Sequence, residues 1–388
     1  MKYYTTALLA VLSCSGLAVQ AQDAAQAEDP KTVSLDTIAK PVLRVLKKLK
    51  LSGTIRTRYN ATFNKHIDID GLQHSNGSDK LTDNAFTIPN ARLVLQGDVT
   101  DRLDVYVRVN FGDFKGSPTS KVLEYAYGTY KINPYLNFRM GVYRPNFGRE
   151  DDLATDYLRT FDFSNQYTAF DENGWMNYQM GATVMGEAKI GKLPFKYYLG
   201  VVNGNRRNSF TDNDNGKQFP ARVELEFSRN FQVGVNGGLG KEYGSSLSVW
   251  GADVNYERQL SRKLHFQVES EFKQGNNQSL FFSEDIPNTT VSNYMMRGAY
   301  VLPGVMYTIN KKEIKSLEAS FKYEYFDPNF KRDGNVRQQY VPMVGVDFAE
   351  NYAFRLQFGV VIDRYNHNVP NTTEYNSNRF ITQLQIRF

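Results

Sequence analysis

From Leu51 to the last residue, apolar and polar side chains alternate with a period of two, segment after segment. In the final segment Phe388, Ile386, Leu384, Thr382 and Phe380 share one face. Arg387, Gln385, Gln383 and Arg379 share the other, with Ile381 as the one misfit. An earlier segment sets Phe354, Leu356, Phe358, Val360 and Ile362 against Arg355, Gln357, Gly359, Val361 and Asp363. The first sets Leu51, Gly53, Ile55, Thr57 and Tyr59 against Ser52, Thr54, Arg56, Arg58 and Asn60. Each such strand needs an apolar medium on one side and water on the other. A soluble sandwich must cover every apolar face with another, whereas a closed sheet in a bilayer leaves them to the acyl chains. The expected fold is all-β: a closed antiparallel transmembrane β-barrel of about sixteen strands.

The connections support that count. Short turns are expected at Thr100–Arg102, Asn133–Pro134, Gly191–Pro194, Ser228–Asn230, Ser261–Lys263, Asn310–Lys315 and Glu350–Asn351. Long polar connections fall between them, at 65–85, 114–121, 146–174, 205–218, 241–246, 274–293, 327–336 and 366–377. Short turns on the periplasmic side and long loops outside are the asymmetry of outer-membrane barrels. Past the first twenty-odd residues no run approaches the ~18 apolar residues of a membrane helix. Mean hydropathy is −0.50, which is no obstacle when only half of each strand faces lipid. The chain carries 25 Tyr and 26 Phe. Tyr125, Tyr127, Phe138, Tyr197, Phe227, Phe231, Tyr256, Phe321, Tyr323 and Tyr325 are assigned to apolar faces, several as interfacial girdles.

The N-terminus reads as an export signal over residues 1–21. Lys2 precedes the apolar run Ala7–Leu12, and Val19-Gln20-Ala21 offers small residues for cleavage before Gln22. Residues 22–49 follow as a periplasmic linker with a short amphipathic helix over 33–48, and residues 50–388 form the barrel domain. The single cysteine, Cys14, lies in the segment to be removed, so no disulfide is expected. The terminal Phe388 resembles the aromatic end by which the barrel-assembly machinery recognises outer-membrane strands.

If apolar faces meet lipid, their neighbours line a lumen. The first five strands then contribute Arg56, Arg58, Arg92, Arg108 and Arg139, and later ones add Arg222, Arg297, Arg337, Arg355, Arg379 and Arg387. Carboxylates gather between the eighth and thirteenth strands, as Glu224, Glu226, Asp253, Glu257, Glu269, Glu271, Glu318 and Glu324. A basic wall is therefore expected to face an acidic one, biasing the local ion concentration. The connection 146–174 carries Phe147, Tyr157, Phe161, Phe163, Tyr167 and Phe170, too many aromatics for a solvated loop, and is expected to fold inward as a constriction. Its charges are Arg149 and Arg159 against Glu150, Asp151, Asp152, Asp156, Asp162, Asp171 and Glu172.

Residues Gly141–Glu150 (GVYRPNFGRE), following Glu124–Tyr130 (EYAYGTY), resemble the phosphate-selective porin O and P family. Tyr197–Gly204 (YYLGVVNG), Lys217–Arg222 (KQFPAR), the opening strand Gly53–Tyr59 and Arg92 continue the likeness. The resemblance implies a sixteen-stranded homotrimeric porin of the bacterial outer membrane, with a ladder of lumen arginines and a constricting third loop that draw phosphate. By position Arg56, Arg58 and Arg92 are the ladder members, while the acidic loop departs from the basic character the family implies. The expected activity is passive diffusion of small anionic or neutral solutes, without catalysis or cofactor. A non-selective general-diffusion porin and an adhesin or structural barrel are the alternatives. No HExxH or GxSxG motif occurs, so nothing supports an outer-membrane hydrolase. Asp212–Gly216 (DNDNG) reads as a turn rather than a calcium loop. The four histidines, His66, His74, His265 and His367, lie far apart in sequence; His66 and His74 share the first long loop and could bind metal, but read better as part of a solvated loop. A net charge of +5 is too mild for a nucleic-acid footprint. A barrel predicts a protein that needs detergent and runs faster on gels unheated than boiled; identical mobility in both samples would exclude it.

Overall fold

A computed structural model describes residues 49–75, 81–114, 122–205, 211–212, 214–284, 286–332 and 334–388. The expected export signal, linker and helix over 33–48 lie outside these residues. Sixteen antiparallel strands close into one barrel, each paired with its sequence neighbours. They are β1 Leu49–Thr62, β2 Asn84–Asp98, β3 Leu103–Asn110, β4 Leu123–Asn133, β5 Leu136–Tyr143, β6 Gln179–Ile190, β7 Leu193–Val202 and β8 Gln218–Ser228. The second half comprises β9 Phe231–Glu242, β10 Ser245–Gln259, β11 Leu264–Asn276, β12 Met295–Thr308, β13 Ser316–Asp327, β14 Arg337–Asp347, β15 Phe354–Tyr365 and β16 Ser377–Arg387. Closure is made by β1 on β16, in register from Thr54 opposite Arg387 to Thr62 opposite Arg379. Gly53 and Phe388 extend this seam by exchanging backbone hydrogen bonds of 2.8 and 3.0 Å.

Burial is inverted relative to a soluble protein. Leu51, Phe86, Met140, Leu239 and Val344 are exposed, while Arg56, Arg222, Glu271, Lys273 and Arg355 are buried. The alternation places apolar side chains on the outer face and charged ones inside, as the closed sheet in lipid requires.

Two sequence expectations change. The connection expected over 241–246 is a two-residue turn, Tyr243-Gly244, with φ of 45° and 80°. Positive φ at both positions gives the primed turn whose twist suits a hairpin. Tyr125 and Tyr127 belong to the lumen face rather than to an outer girdle, because they share it with Arg108 and Arg139, whose guanidinium carbons lie 4.2 and 4.5 Å from their ring centres. The phase breaks at a bulge between Arg108 and Val109 in the β3–β4 pairing.

The lumen holds its own apolar core, built around the connection between β5 and β6. Phe147, Tyr167, Phe170, Trp175 and Met176 of that connection pack on Leu247 and Val249 of β10 and Met296 of β12. Phe161 packs on Tyr300, Leu302, Val341, Met343, Val361 and Ile381. Ile381, the misfit in the last strand's alternation, is thus a lumen residue that seats this ring.

Val223 sits mid-strand on the outer face, between buried Arg222 and Glu224. Val223→Arg is expected to weaken folding into bilayers by about 2–4 kcal/mol, measured by urea titration in lipid vesicles.

Candidate solute path and its constriction

Residues 144–178 run from β5 to β6 inside the barrel, and their local fold follows from a few residues. Gly148 has φ +111°, and a methyl group there would overlap the Glu271 carboxylate and the Lys273 side chain, so only glycine lets the chain lie against β11. A single helical turn, α1 (Arg149–Asp152), follows; α2 (Asn165–Glu172) is capped by the Ser164 hydroxyl, which accepts from the Tyr167 amide at 3.2 Å. Asp151 ties the segment together, accepting from the amides of Phe147 at 3.0 Å and Asn177 at 2.8 Å and from the Tyr167 hydroxyl at 3.4 Å. Arg144 lies under the fold, donating to the Leu153 carbonyl at 2.7 Å with its guanidinium 4.8 Å from the Phe163 ring centre.

The acidic wall docks this segment. Glu271 accepts from the amides of Arg149 at 3.0 Å and Glu150 at 3.4 Å, and Glu324 accepts from the Asn165 amide at 2.6 Å. Arg149 reaches Glu269 at 3.2 Å, and Arg159 reaches Glu318 at 2.9 Å. Glu271 and Glu324 are each also paired with a lysine on their own strand, Lys273 and Lys322. These wall carboxylates are therefore occupied in holding the loop, which corrects the picture of an acidic face bordering open water.

The basic wall grips the other side. Arg56 donates to the carbonyl of Thr155 and to Gln385 at 2.7 Å. Arg58 holds Asp162 through two bonds of 2.9 and 3.0 Å and donates to the Phe161 carbonyl at 2.9 Å. Asp156 meets Arg387 at 3.3 Å. Asp162 is held below the usual carboxylate range, because the loss of water around it is outweighed by Arg58. Burial pushes Glu150 up to about 8; it accepts from the Ser164 amide at 2.8 Å and from that residue's hydroxyl.

The remaining expected site residues divide. Arg92 and Arg108 both bind one carboxylate, Glu124 of β4, at 2.7 Å. Glu124 is fully buried and was absent from the expected set because the β3–β4 bulge turns it inward. Among the described residues Arg139 of β5 makes one hydrogen bond, of 3.4 Å to Thr129, and its guanidinium lies over the Tyr127 and Tyr143 rings at 4.5 and 5.8 Å. Arg222 is neutralised on its own side by Asp253 at 3.0 Å and Glu224 at 3.3 Å. Asp152 accepts from Asn146 at 2.6 Å at an exposed corner. Among the described residues, no group of His, Cys, Asp and Glu converges as a metal site.

Two spaces flank Ala154–Tyr157. One, of about 470 Å³, lies against β1–β3 and is lined by Arg92, Arg108, Arg387, Tyr106, Asp156 and Tyr157. The other, of about 200 Å³, lies against β10–β13 beside Arg149, Glu150, Arg159, Glu257, Glu269 and Lys322.

A sixteen-stranded closed barrel whose longest inner connection narrows a charged lumen is the architecture of an outer-membrane porin. The sequence profile of the phosphate-selective porin O and P family matches residues 59–302, more than half of the chain, and the chain belongs to that family. It is accordingly a porin of the bacterial outer membrane. No curated protein sequence matches it. Solved structures share the fold. The outer membrane channel DcaP of Acinetobacter baumannii is 16% identical over 88% of this chain and 97% of its own, with a TM-score of 0.55. The anion-selective porin from Comamonas acidovorans is 10% identical over 87% and 98%, with a TM-score of 0.55. OmpT of Vibrio cholerae, in a trimer form, is 13% identical over 88% and 99%, with a TM-score of 0.53.

Gly148→Ala is expected to lift α1 from β11, raising single-channel conductance and lowering barrel stability by ~1–3 kcal/mol. Conductance unchanged from wild type would show that the contact does not set the constriction.

Proposed function

We propose that the chain is a passive channel with a preference for small anions, and that solutes pass on the arginine side of the loop. The observation that carries this reading is the 470 Å³ space bordered by Arg92, Arg108 and Arg387. Among the side chains around it, Asp156 and the shared Glu124 offset two of the three guanidiniums and leave one in excess. The acidic composition of the loop does not oppose this. Asp162 is bound to Arg58, Asp151 is enclosed by the loop's own amides, and Glu150 is buried against the amide and hydroxyl of Ser164. Arg56 and Arg58 act as clamps that position the constriction, with Arg149 and Arg159 as their counterparts on the opposite wall. Glu124 also favours a second reading, a general-diffusion porin of weak selectivity, because it cancels half of the charge that Arg92 and Arg108 bring.

The wider assignment follows the same reading. Residues 1–21 direct export, residues 22–49 form a periplasmic spacer, the short turns face the periplasm, and Phe388 is presented to the assembly machinery. The trimer form recorded for the Vibrio cholerae protein supports a homotrimer here. No chemistry or cofactor is involved.

Reversal potentials in planar bilayers under a potassium chloride gradient test the path. Wild type is expected to reverse on the chloride side. Arg92→Ala should reduce the permeability ratio and Glu124→Gln should raise it, each by about two- to fivefold for one charge at a few ångströms in a wet lumen. Ratios unmoved by both changes would place the ions elsewhere. A wild-type ratio near one would favour the general-diffusion reading.

A further inference from the structure

A second space of about 460 Å³ adjoins the first, sharing Gln96 and Tyr106, and opens toward the end of the barrel that carries the short turns. Its wall is unlike the rest of the lumen. Tyr106 of β3 and Tyr127 of β4 lie parallel, with ring centres 5.4 Å apart and planes 5° from one another. The lattice continues edge-on through Tyr125, 5.4 Å from Tyr106, to Tyr178 at 5.1 Å. The Arg139 guanidinium adjoins this group, 4.5 Å from the Tyr127 ring centre and 5.8 Å from that of Tyr143.

Arg139 differs from the other arginines of this wall. Its side chain makes one long hydrogen bond, to Thr129, and among the described residues no carboxylate lies within 4 Å of it. Of the neighbouring charges, Lys131 is matched by Asp104 at 2.9 Å and Asp98 at 3.6 Å, while Glu187 lines the same space and faces Lys196 across the β6–β7 register, that lysine being held by Glu226 at 3.1 Å. A planar cation with unused donors therefore stands against an aromatic platform.

A compact inorganic anion gains nothing from such a platform, since ring faces carry the negative side of the quadrupole. A flat conjugated acid gains twice, by stacking its ring and by offering a carboxylate to the guanidinium fork. The volume lies within the roughly 300–1,000 Å³ of small-molecule sites. We propose that this space is a docking subsite for aromatic carboxylates, with the ring on Tyr106 and Tyr127 and the carboxylate on Arg139. The proposal rests on the anion path above and names one class of solute that path favours.

The test compares benzoate with cyclohexanecarboxylate, of equal charge and similar size but without a flat ring, as blockers of chloride current in planar bilayers. Half-block by benzoate is expected at about fivefold lower concentration, the factor one ring stack is worth. Tyr127→Leu and Arg139→Gln should each bring the two acids together, while Tyr127→Phe should keep them apart. Equal block of wild type by both acids, or a ratio unchanged in both Tyr127→Leu and Arg139→Gln, would overturn the proposal. A chloride-side reversal potential with equal block overturns the subsite alone. A cation-side potential in the same bilayer overturns the anion path, and the subsite with it.

Discussion

Backbone pairing at the seam between β1 and β16 is the constraint on which the rest depends. In the hydrocarbon region no water is available to an unpaired amide or carbonyl, so the sheet must close on itself. Closure from Thr54 opposite Arg387 to Thr62 opposite Arg379 leaves no free strand edge. Gly53 belongs to that seam for a steric reason as well, because a methyl group there would overlap the Phe388 ring. Once the sheet is closed, every second side chain is committed to lipid. All charge in the strands must then be accommodated on the inner face.

That inner face carries far more charge than a wet tube can hold apart, and the β5–β6 connection resolves it. Its amides and arginines satisfy Glu269, Glu271, Glu318 and Glu324 on one wall, while its aspartates and carbonyls satisfy Arg56, Arg58 and Arg387 on the other. Hydrogen bonds to charged groups are worth about 1.5–3 kcal/mol each, and removing one partner leaves a buried charge uncompensated. Two apolar clusters add to this grip, one through Trp175 and Phe170, the other through Phe161 on Ile381. The constriction is therefore anchored to both walls of the barrel. The Arg159 guanidinium lies over Gly304 of β12, in space that a side chain there would take.

Period-two alternation made the barrel and its strand number legible, because lipid imposes that pattern on every strand alike. Legibility failed wherever a local geometry shifted the phase. The bulge beside Arg108 turned Glu124 inward and put Tyr125 and Tyr127 on the lumen side, and no composition signal marks a one-residue slip of this kind. Tyr243-Gly244 read as part of a longer polar stretch, although a glycine following an aromatic between alternating segments is compatible with a tight turn. The inward arginines were readable as lumen residues, but their partners were not. Arg58 meets Asp162 across 104 positions of sequence, and Arg159 meets Glu318 across 159. Such pairings depend on the path of the loop through the lumen, which sequence spacing does not encode.

The pairing of Arg92 and Arg108 with a single carboxylate bears directly on transport. A guanidinium with no counter-charge in a confined, poorly hydrated space would hold an anion strongly, and a strongly held ion stops the current. Conduction needs attraction sufficient for entry and weak enough for release. Glu124 receives both arginines at 2.7 Å and is itself withdrawn from solvent, so an anion on the proposed path would meet two guanidinium edges backed by one negative charge. Arg387, paired with Asp156 at 3.3 Å, borders the same space as a third compensated guanidinium. On the proposed path an anion would thus find a succession of partly compensated cations in place of a single deep well, and a passive pore requires just such a profile.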